Sequence, residues 1–278
     1  LDEVQIRNIL DSWNYLMNLE ERKEEVLRLI EEQGKLTEEL AAQIHQAKKL
    51  QQVEDLYRPF KQKRRTKATV AKEKGLEPLA EWLLSFPRSD VKNEAQTYIN
   101  EEAGVQSSDE AIQGALDIVA EQISDEASYR QWIRTTTVKD GIIVTSVKDP
   151  EKDEKNIYEM YYEYTEAVKR IVPHRILAMN RGEKDGILKV SIDAPTDRIL
   201  SYLHKQVIKK RDSSAESYII SAIEDAYKRL IEPSIEPEIR KELSEKAEER
   251  AIHIFSENLR KLLLQPPLKG KVVLGVDP

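Results

Sequence analysis

Ser107-Ser108-Asp109-Glu110-Ala111-Ile112-Gln113-Gly114-Ala115-Leu116-Asp117-Ile118-Val119-Ala120-Glu121-Gln122-Ile123 sets the class of the fold. Ser107 and Glu110 stand at capping-box spacing, where a hydroxyl and a carboxylate bond the free backbone N–H groups at a helix start. Behind them Ile112, Ala115, Leu116, Val119, Ala120 and Ile123 recur at steps of three and four, so they share one face of a helix. This is the cleanest stripe in the sequence. Downstream, Ser124-Asp125-Glu126 opens a further helix that buries Tyr129 and Trp132 or Ile133.

Upstream, Ile6, Ile9, Leu10, Trp13, Leu16, Met17, Val26, Leu29 and Ile30 give an amphipathic helix over 1–32, broken or bent once. Gln33-Gly34-Lys35 stops it, and Thr37 caps a second helix running to Tyr57 with Leu40, Ile44, Ala47, Leu50 and Val53 inward. Arg58-Pro59 ends that helix, because a residue before proline is pushed out of helical geometry. Pro78 starts a short helix that Pro87 closes, and another covers 90–103.

The pattern changes at Thr135-Thr136-Thr137-Val138. Two β-branched runs follow, 142–147 and 187–192, and these are expected to pair in a small sheet. Between them Tyr158, Tyr161, Tyr162 and Tyr164 cluster. Such rings could stack on bases, but their spacing favours filling an irregular core edge with hydroxyls outward. Helices return at 217–231 and 238–264, punctuated by Pro233 and Pro237, and the run 270–278 reads as a strand without a partner. The expected fold class is mainly α: an elongated multi-helix scaffold with a small β element near 140–192.

Of 278 residues, 40% are apolar and 34% charged, with 9 glycines, as in a helical globular protein. There are no cysteines, which excludes disulfide and thiol chemistry and suits a reducing compartment. None of the 4 histidines is paired at metal-ligand spacing, and no apolar run approaches the ~20 residues that span a bilayer. A cytoplasmic protein without cofactor, metal or membrane association is expected. His174 lacks a recognisable nucleophile and orienting acid, and the stretch reads as a helix start with His174 and Arg175 hydrogen-bonded near Glu183. Asp277, one carboxylate past a strand, does not make a two-metal site. No enzymatic activity is assigned.

Charge singles out one other stretch. The chain carries −7 overall, yet 61–74 holds Lys61, Lys63, Arg64, Arg65, Lys67, Lys72 and Lys74 against Glu73 alone. Lysine and arginine release counterions from a polyanion, so Lys61, Lys63, Arg64, Arg65, Lys67 and Lys72 are the candidate nucleic-acid contacts. Leu56, Tyr57, Phe60, Val70 and Leu76 supply apolar anchors around them, so a structural role between helices stands beside the binding one. Lys205-Gln206-Val207-Ile208-Lys209-Lys210-Arg211 is a smaller cationic patch that reads as a solvated helix face.

Five stretches resemble the bacterial Tex family of transcription accessory proteins: 1–7, 55–66 (Asp55-Leu56-Tyr57-Arg58-Pro59-Phe60-Lys61-Gln62-Lys63-Arg64-Arg65-Thr66), 74–80, 174–183 (His174-Arg175-Ile176-Leu177-Ala178-Met179-Asn180-Arg181-Gly182-Glu183) and 273–278. The resemblance implies a cytoplasmic protein that binds RNA or DNA, weakly in this stretch, and influences transcription, with RNA polymerase as a protein partner. It implies a helix-turn-helix-like element in the helical region. It also implies a division into a helical region at 1–134, a middle region at 135–267 and the first strand of a YqgF/RNase H-like domain at 268–278. The chain is then the amino-terminal half of a longer protein. The alternative is a protein-interaction module that docks on polymerase or on further domains without touching nucleic acid.

Overall fold

The computed structural model describes residues 3–62, 65–210, 212–266, 270, 272 and 274. It is mainly α with one small sheet, as the stripes and the β-branched runs imply. Of the strand expected at 270–278, only Gly270, Val272 and Leu274 are described; Asp277 lies outside the described residues.

Contacts divide the chain into two compact units, each discontinuous in sequence: 1–139 with 194–236, and 140–193 with 237–278. The first unit begins with α1 (Glu3–Glu32), α2 (Glu38–Gln46) and α3 (Leu50–Tyr57). Leu19, Val26 and Ile30 of α1 close on Ile44, Ala47, Val53 and Tyr57. Contrary to the expected break, α1 is one 30-residue helix, and its first half leaves Ile6, Ile9, Leu10, Trp13, Leu16 and Met17 exposed. The single helix expected from Thr37 to Tyr57 is two. Gln52 Oε1 accepts from the backbone N–H of Lys48 and Lys49 at 2.8 and 3.2 Å, and this side-chain cap starts α3 afresh.

Next come α4 (Lys67–Glu73), α5 (Glu77–Leu84), α6 (Val91–Gln96), α7 (Ser108–Asp125) and α8 (Ala127–Asp140). Helix α7 is the hub, packed by α4, α5 and α6, and its buried face includes Ile112, Ala115, Ile118, Val119 and Ile123. Its cap departs slightly from the expected one. Ser107 Oγ accepts from Glu110 N–H, but the Glu110 carboxylate reaches back to Gln106 N–H at 2.8 Å. Helix α6 stops far short of 103 because Asn100 Oδ1 takes the N–H groups of Glu102 and Ala103 and turns the chain. Phe86 holds a left-handed φ of 57°, rare for an aromatic residue. Its buried ring and the Ser213 hydroxyl bonded to Pro87 O at 2.6 Å fix the bend.

The expected change of pattern at Thr135 does not occur: α8 continues to Asp140. Thr136 and Thr137 are buried within it, and Thr135 bonds back to Gln131 O at 2.8 Å, so packing overrides β-branched propensity. Helices α10 (Thr196–Val207) and α11 (Glu216–Asp225) follow later in the chain within this unit.

The second unit holds β1 (Ile142–Val147), β2 (Glu163–Ala167), α9 (Pro173–Lys184) and β3 (Leu188–Asp193). The sheet order is β2-β1-β3, antiparallel throughout, with Ile142 opposite Ala167 and Asp193. The two β-branched runs do pair; β2, hidden among the tyrosines, is the additional strand. Leu188, Val190 and Ile192 alternate inward against Ile176 and Met179 of α9. Gly182 permits the close approach, since a Cβ there would stand 2.6 Å from Leu188 Cδ1.

Residues 226–231 form a π-helical turn that leads from α11 into α12 (Glu232–Leu263). Pro233 and Pro237 do not interrupt it as expected. Pro233 comes two residues after the π-helical turn, and the helix runs on through it. Pro237 lies inside the helix, and burial of Ile231, Ile235 and Ile239 at steps of four compensates for the bond it removes.

Candidate nucleic-acid interface

The chain enters the basic run through a 3-10 turn, Arg58–Phe60, held by α3 and by the residue that follows α1. Lys61 N–H donates to Tyr57 O at 3.1 Å, and Gln33 Nε2 donates to Phe60 O at 2.9 Å. Arg58 Nε meets Asp125 of α7 at 3.2 Å. Thr66 then caps α4, its Oγ1 accepting from Thr69 N–H at 3.1 Å while Thr69 Oγ1 accepts from Thr66 N–H at 2.7 Å. Tyr57, Ala68, Ala71 and Leu76 are buried and Phe60 and Val70 are half-buried, so the apolar anchors dock the run between helices.

The cations are dispersed around this anchor. Lys61 and Lys72 line a cleft of about 330 Å³ with Pro59 and Thr69, faced by Glu121, Asp125 and Glu126. Lys72 also pairs with Glu77 at 3.2 Å, and Arg65 with Glu73 at 3.4 Å, both at the surface. Lys67 is exposed at the first position of α4, and its charge reaches Asp117. Burial pushes the Asp117 carboxyl above its ordinary value, and Arg229 and Lys67 pull the other way. Lys74 donates to Gly104 O at 2.7 Å, at the surface. Lys63 and Arg64 lie outside the described residues.

An ionic network that sequence reasoning missed joins α3 to α8. Asp55 of α3 accepts from Arg130 Nε at 3.2 Å and from Arg134 NH1 at 2.9 Å. Arg130 is fully buried, and its second terminal nitrogen donates to Ser234 Oγ at 2.9 Å. The only sequence signal was the i, i+4 spacing of the two arginines on α8, which does not name an acid 75 residues away.

Three of the four clustered tyrosines bond their hydroxyls within the fold. Tyr158 donates to Asp185 at 2.9 Å, Tyr162 to Asp153 at 3.1 Å and Tyr164 to Glu166 at 2.5 Å. Arg175 bonds Glu166 at 2.8 Å, not Glu183 as expected; Glu183 is taken by Arg240 of α12. Of the smaller patch, Lys205, Lys209 and Lys210 are exposed, and Lys210 reaches Ser85 O at 3.4 Å.

A family model described as Tex central region-like matches residues 87–255. The chain is 62% identical over its whole length to a Bacillus subtilis protein named "Uncharacterized protein YdcI", covering 39% of that protein. It is 36% identical to the "Transcriptional accessory protein Tex" of Neisseria gonorrhoeae, again over the whole chain and 37% of the relative. The human "S1 RNA-binding domain-containing protein 1" is 26% identical, with 29% of it covered. The chain thus spans less than two fifths of the curated relatives it matches. No described helix is long and apolar enough to cross a membrane.

Proposed function

The chain belongs to the Tex family, and from that premise we propose that it is the helical scaffold of a nucleic-acid-binding transcription accessory protein. The observation that carries this reading is the match of the whole chain to 37% of a relative named for transcription. Its own contact with RNA or DNA is weak and electrostatic, through Lys61, Lys63, Arg64, Arg65, Lys67 and Lys72. In this reading α4 and α5, joined at Gly75 with φ 77°, are the helix-turn-helix-like element, with Lys67 and Lys72 on α4. The nearby acids Glu121, Asp125 and Glu126 keep the affinity low. The reading assigns binding in the cytoplasm and no catalysis.

Anisotropy titration of labelled RNA and DNA, at two salt concentrations, tests this. Exchanging Lys63, Arg64, Arg65 and Lys67 for glutamine should weaken binding and reduce the log–log salt slope by up to about 3, at ~0.7 per phosphate contact. Unchanged binding refutes the patch.

The exposed apolar side chains of α1 favour a second reading, docking on RNA polymerase or on other domains of the same protein. Purified core polymerase that binds the chain, but not an Ile9→Gln/Leu16→Gln variant, would support it.

A further inference from the structure

On α10, Arg198, Tyr202 and Lys205 follow one another at steps of four and three, along one side of the helix. Ile199, Leu203 and Val207 bury the adjacent side. Tyr129 and Trp132 lie one turn apart on α8, in the same compact unit. The rings of Trp132 and Tyr202 stack with centroids 3.8 Å apart and planes 7° apart. Tyr129 meets Tyr202 edge-on at 6.1 Å, and the Arg198 guanidinium is 6.0 Å from the Trp132 ring centre.

The next residues along each helix, Ile133 and Leu203, are sealed, whereas Trp132 and Tyr202 keep part of their surface in water. A stack that served only to join α8 to α10 would gain most from complete burial. This one stays partly open, with exposed cations at Arg198 and Lys205 on either side of Tyr202. Seven residues of helix separate those cations by about 10 Å along the axis.

We propose that the Trp132–Tyr202 stack, with Arg198 and Lys205, is a contact site for single-stranded nucleic acid. An unpaired base extends the aromatic stack, and the two cations neutralise the phosphates on either side. Every base has a π face, so the site is tolerant of sequence. A duplex keeps its bases paired and stacked and cannot offer one. Glu126 is the acid whose charge reaches both Tyr129 and Tyr202, but its carboxylate is held by the Ser128 N–H and hydroxyl. Flanking cations favour a polyanion over a proline-rich peptide, the other ligand that lies on exposed aromatic rings.

This site deepens the preceding reading and rests on the chain's association with nucleic acid. The test uses the full chain with Trp13→Phe and Trp82→Phe, which leaves Trp132 as its only tryptophan. It is titrated with oligo-dT and oligo-U of about 12 nucleotides, within the usual site sizes, with anisotropy of the labelled oligonucleotide read in parallel. Trp132 fluorescence should quench along the anisotropy curve. Lys205→Gln should weaken binding about 2- to 5-fold and lower the salt slope by roughly 1. Tyr202→Leu should weaken it about 10-fold, whereas Tyr202→Phe should not. If Tyr202→Leu fails to fold, the affinity of Lys205→Gln and the quenching of Trp132 still decide between the outcomes. Binding by anisotropy with unquenched Trp132 and native affinity in Lys205→Gln overturns this site and leaves the basic-run reading standing. No anisotropy change at all overturns both. Quenching by a proline-rich peptide but not by oligonucleotide overturns the site in favour of a protein contact.

Discussion

Replacing Asp55 by alanine should be among the most damaging single changes to the helical unit. Arg130 has no solvent-exposed side-chain surface and Arg134 retains 14%, and both are paired with a carboxylate that is itself 5% exposed. Without Asp55, Arg130 keeps the neutral acceptors Ser124 O at 3.4 Å and Ser234 Oγ at 2.9 Å, but no Asp55 charge. Breaking a buried pair by removing one partner costs about 3–5 kcal/mol. The remaining acceptors place this case near the lower end, about 3 kcal/mol. For a unit of this size that lowers the midpoint of thermal unfolding by about 6–12 °C. Circular dichroism during heating, with urea titration alongside, would measure it. Glu54→Ala is the control: Glu54 pairs with Arg22 at 2.7 Å where both side chains are partly exposed, and should cost less than about 1 kcal/mol. Asp55→Leu combined with Arg130→Met should recover most of the loss, because apolar replacements of a buried pair remove the desolvation cost as well. If Asp55→Ala is no worse than Glu54→Ala, or the double variant no better than Asp55→Ala, the network does not hold α3 to α8.

Gly182→Ala should destabilise the sheet-containing unit by about 1–3 kcal/mol in urea titration, since overpacking outweighs alanine's helix propensity. Its Cβ would meet Leu188 Cγ at 2.9 Å and Tyr158 Cδ1 at 3.0 Å as well as Leu188 Cδ1. The Glu166 carboxyl should make stability pH-dependent. Burial raises its pKa, but the bonds from Tyr164 and Arg175 outweigh this and hold it below the ordinary glutamate value of 4.5. A depressed folded-state pKa means the contribution is present above about pH 4.5 and is lost as pH falls through the folded value. Midpoints measured from about pH 6 down to about pH 3 should therefore fall less in Glu166→Gln than in the unsubstituted chain.

The α class was legible because α7 joins a capping serine to a sustained apolar stripe at steps of three and four, and the sheet because Ile142–Val147 and the run ending at Ile192 are rich in β-branched residues. What escaped the sequence was decided by tertiary partners. Thr136 and Thr137 have strand propensity but are buried in α8. Pro237 should end a helix, yet buried isoleucines on either side carry it through. Strand β2 reads as a tyrosine cluster because its burial is shallow and its residues do not alternate cleanly. The basic run was visible by charge alone. Its dispersal among Glu73, Glu77, Glu121 and Asp125 was not, since the last two arrive from α7, about 50 residues further along the chain.

The sheet register has a consequence for how such a chain is assembled over evolution. Ile142, at the start of β1, is paired with Asp193, at the end of β3. Paired Cα atoms lie only about 5 Å apart. The polypeptide therefore departs for 140–193 and comes back to nearly the spot it left, like a bracketed clause. Excising the clause would call for little more than a tight turn between α8 and α10. The difficulty would surface elsewhere, on α12. There Arg240 donates to Val190 O at 3.0 Å and Asn180 donates to Ser244 at 2.7 Å, while Ile239 and Ala247 are buried. A lineage or a designer that trimmed the excursion would have to recolour that stretch of helix with polar side chains in the same step.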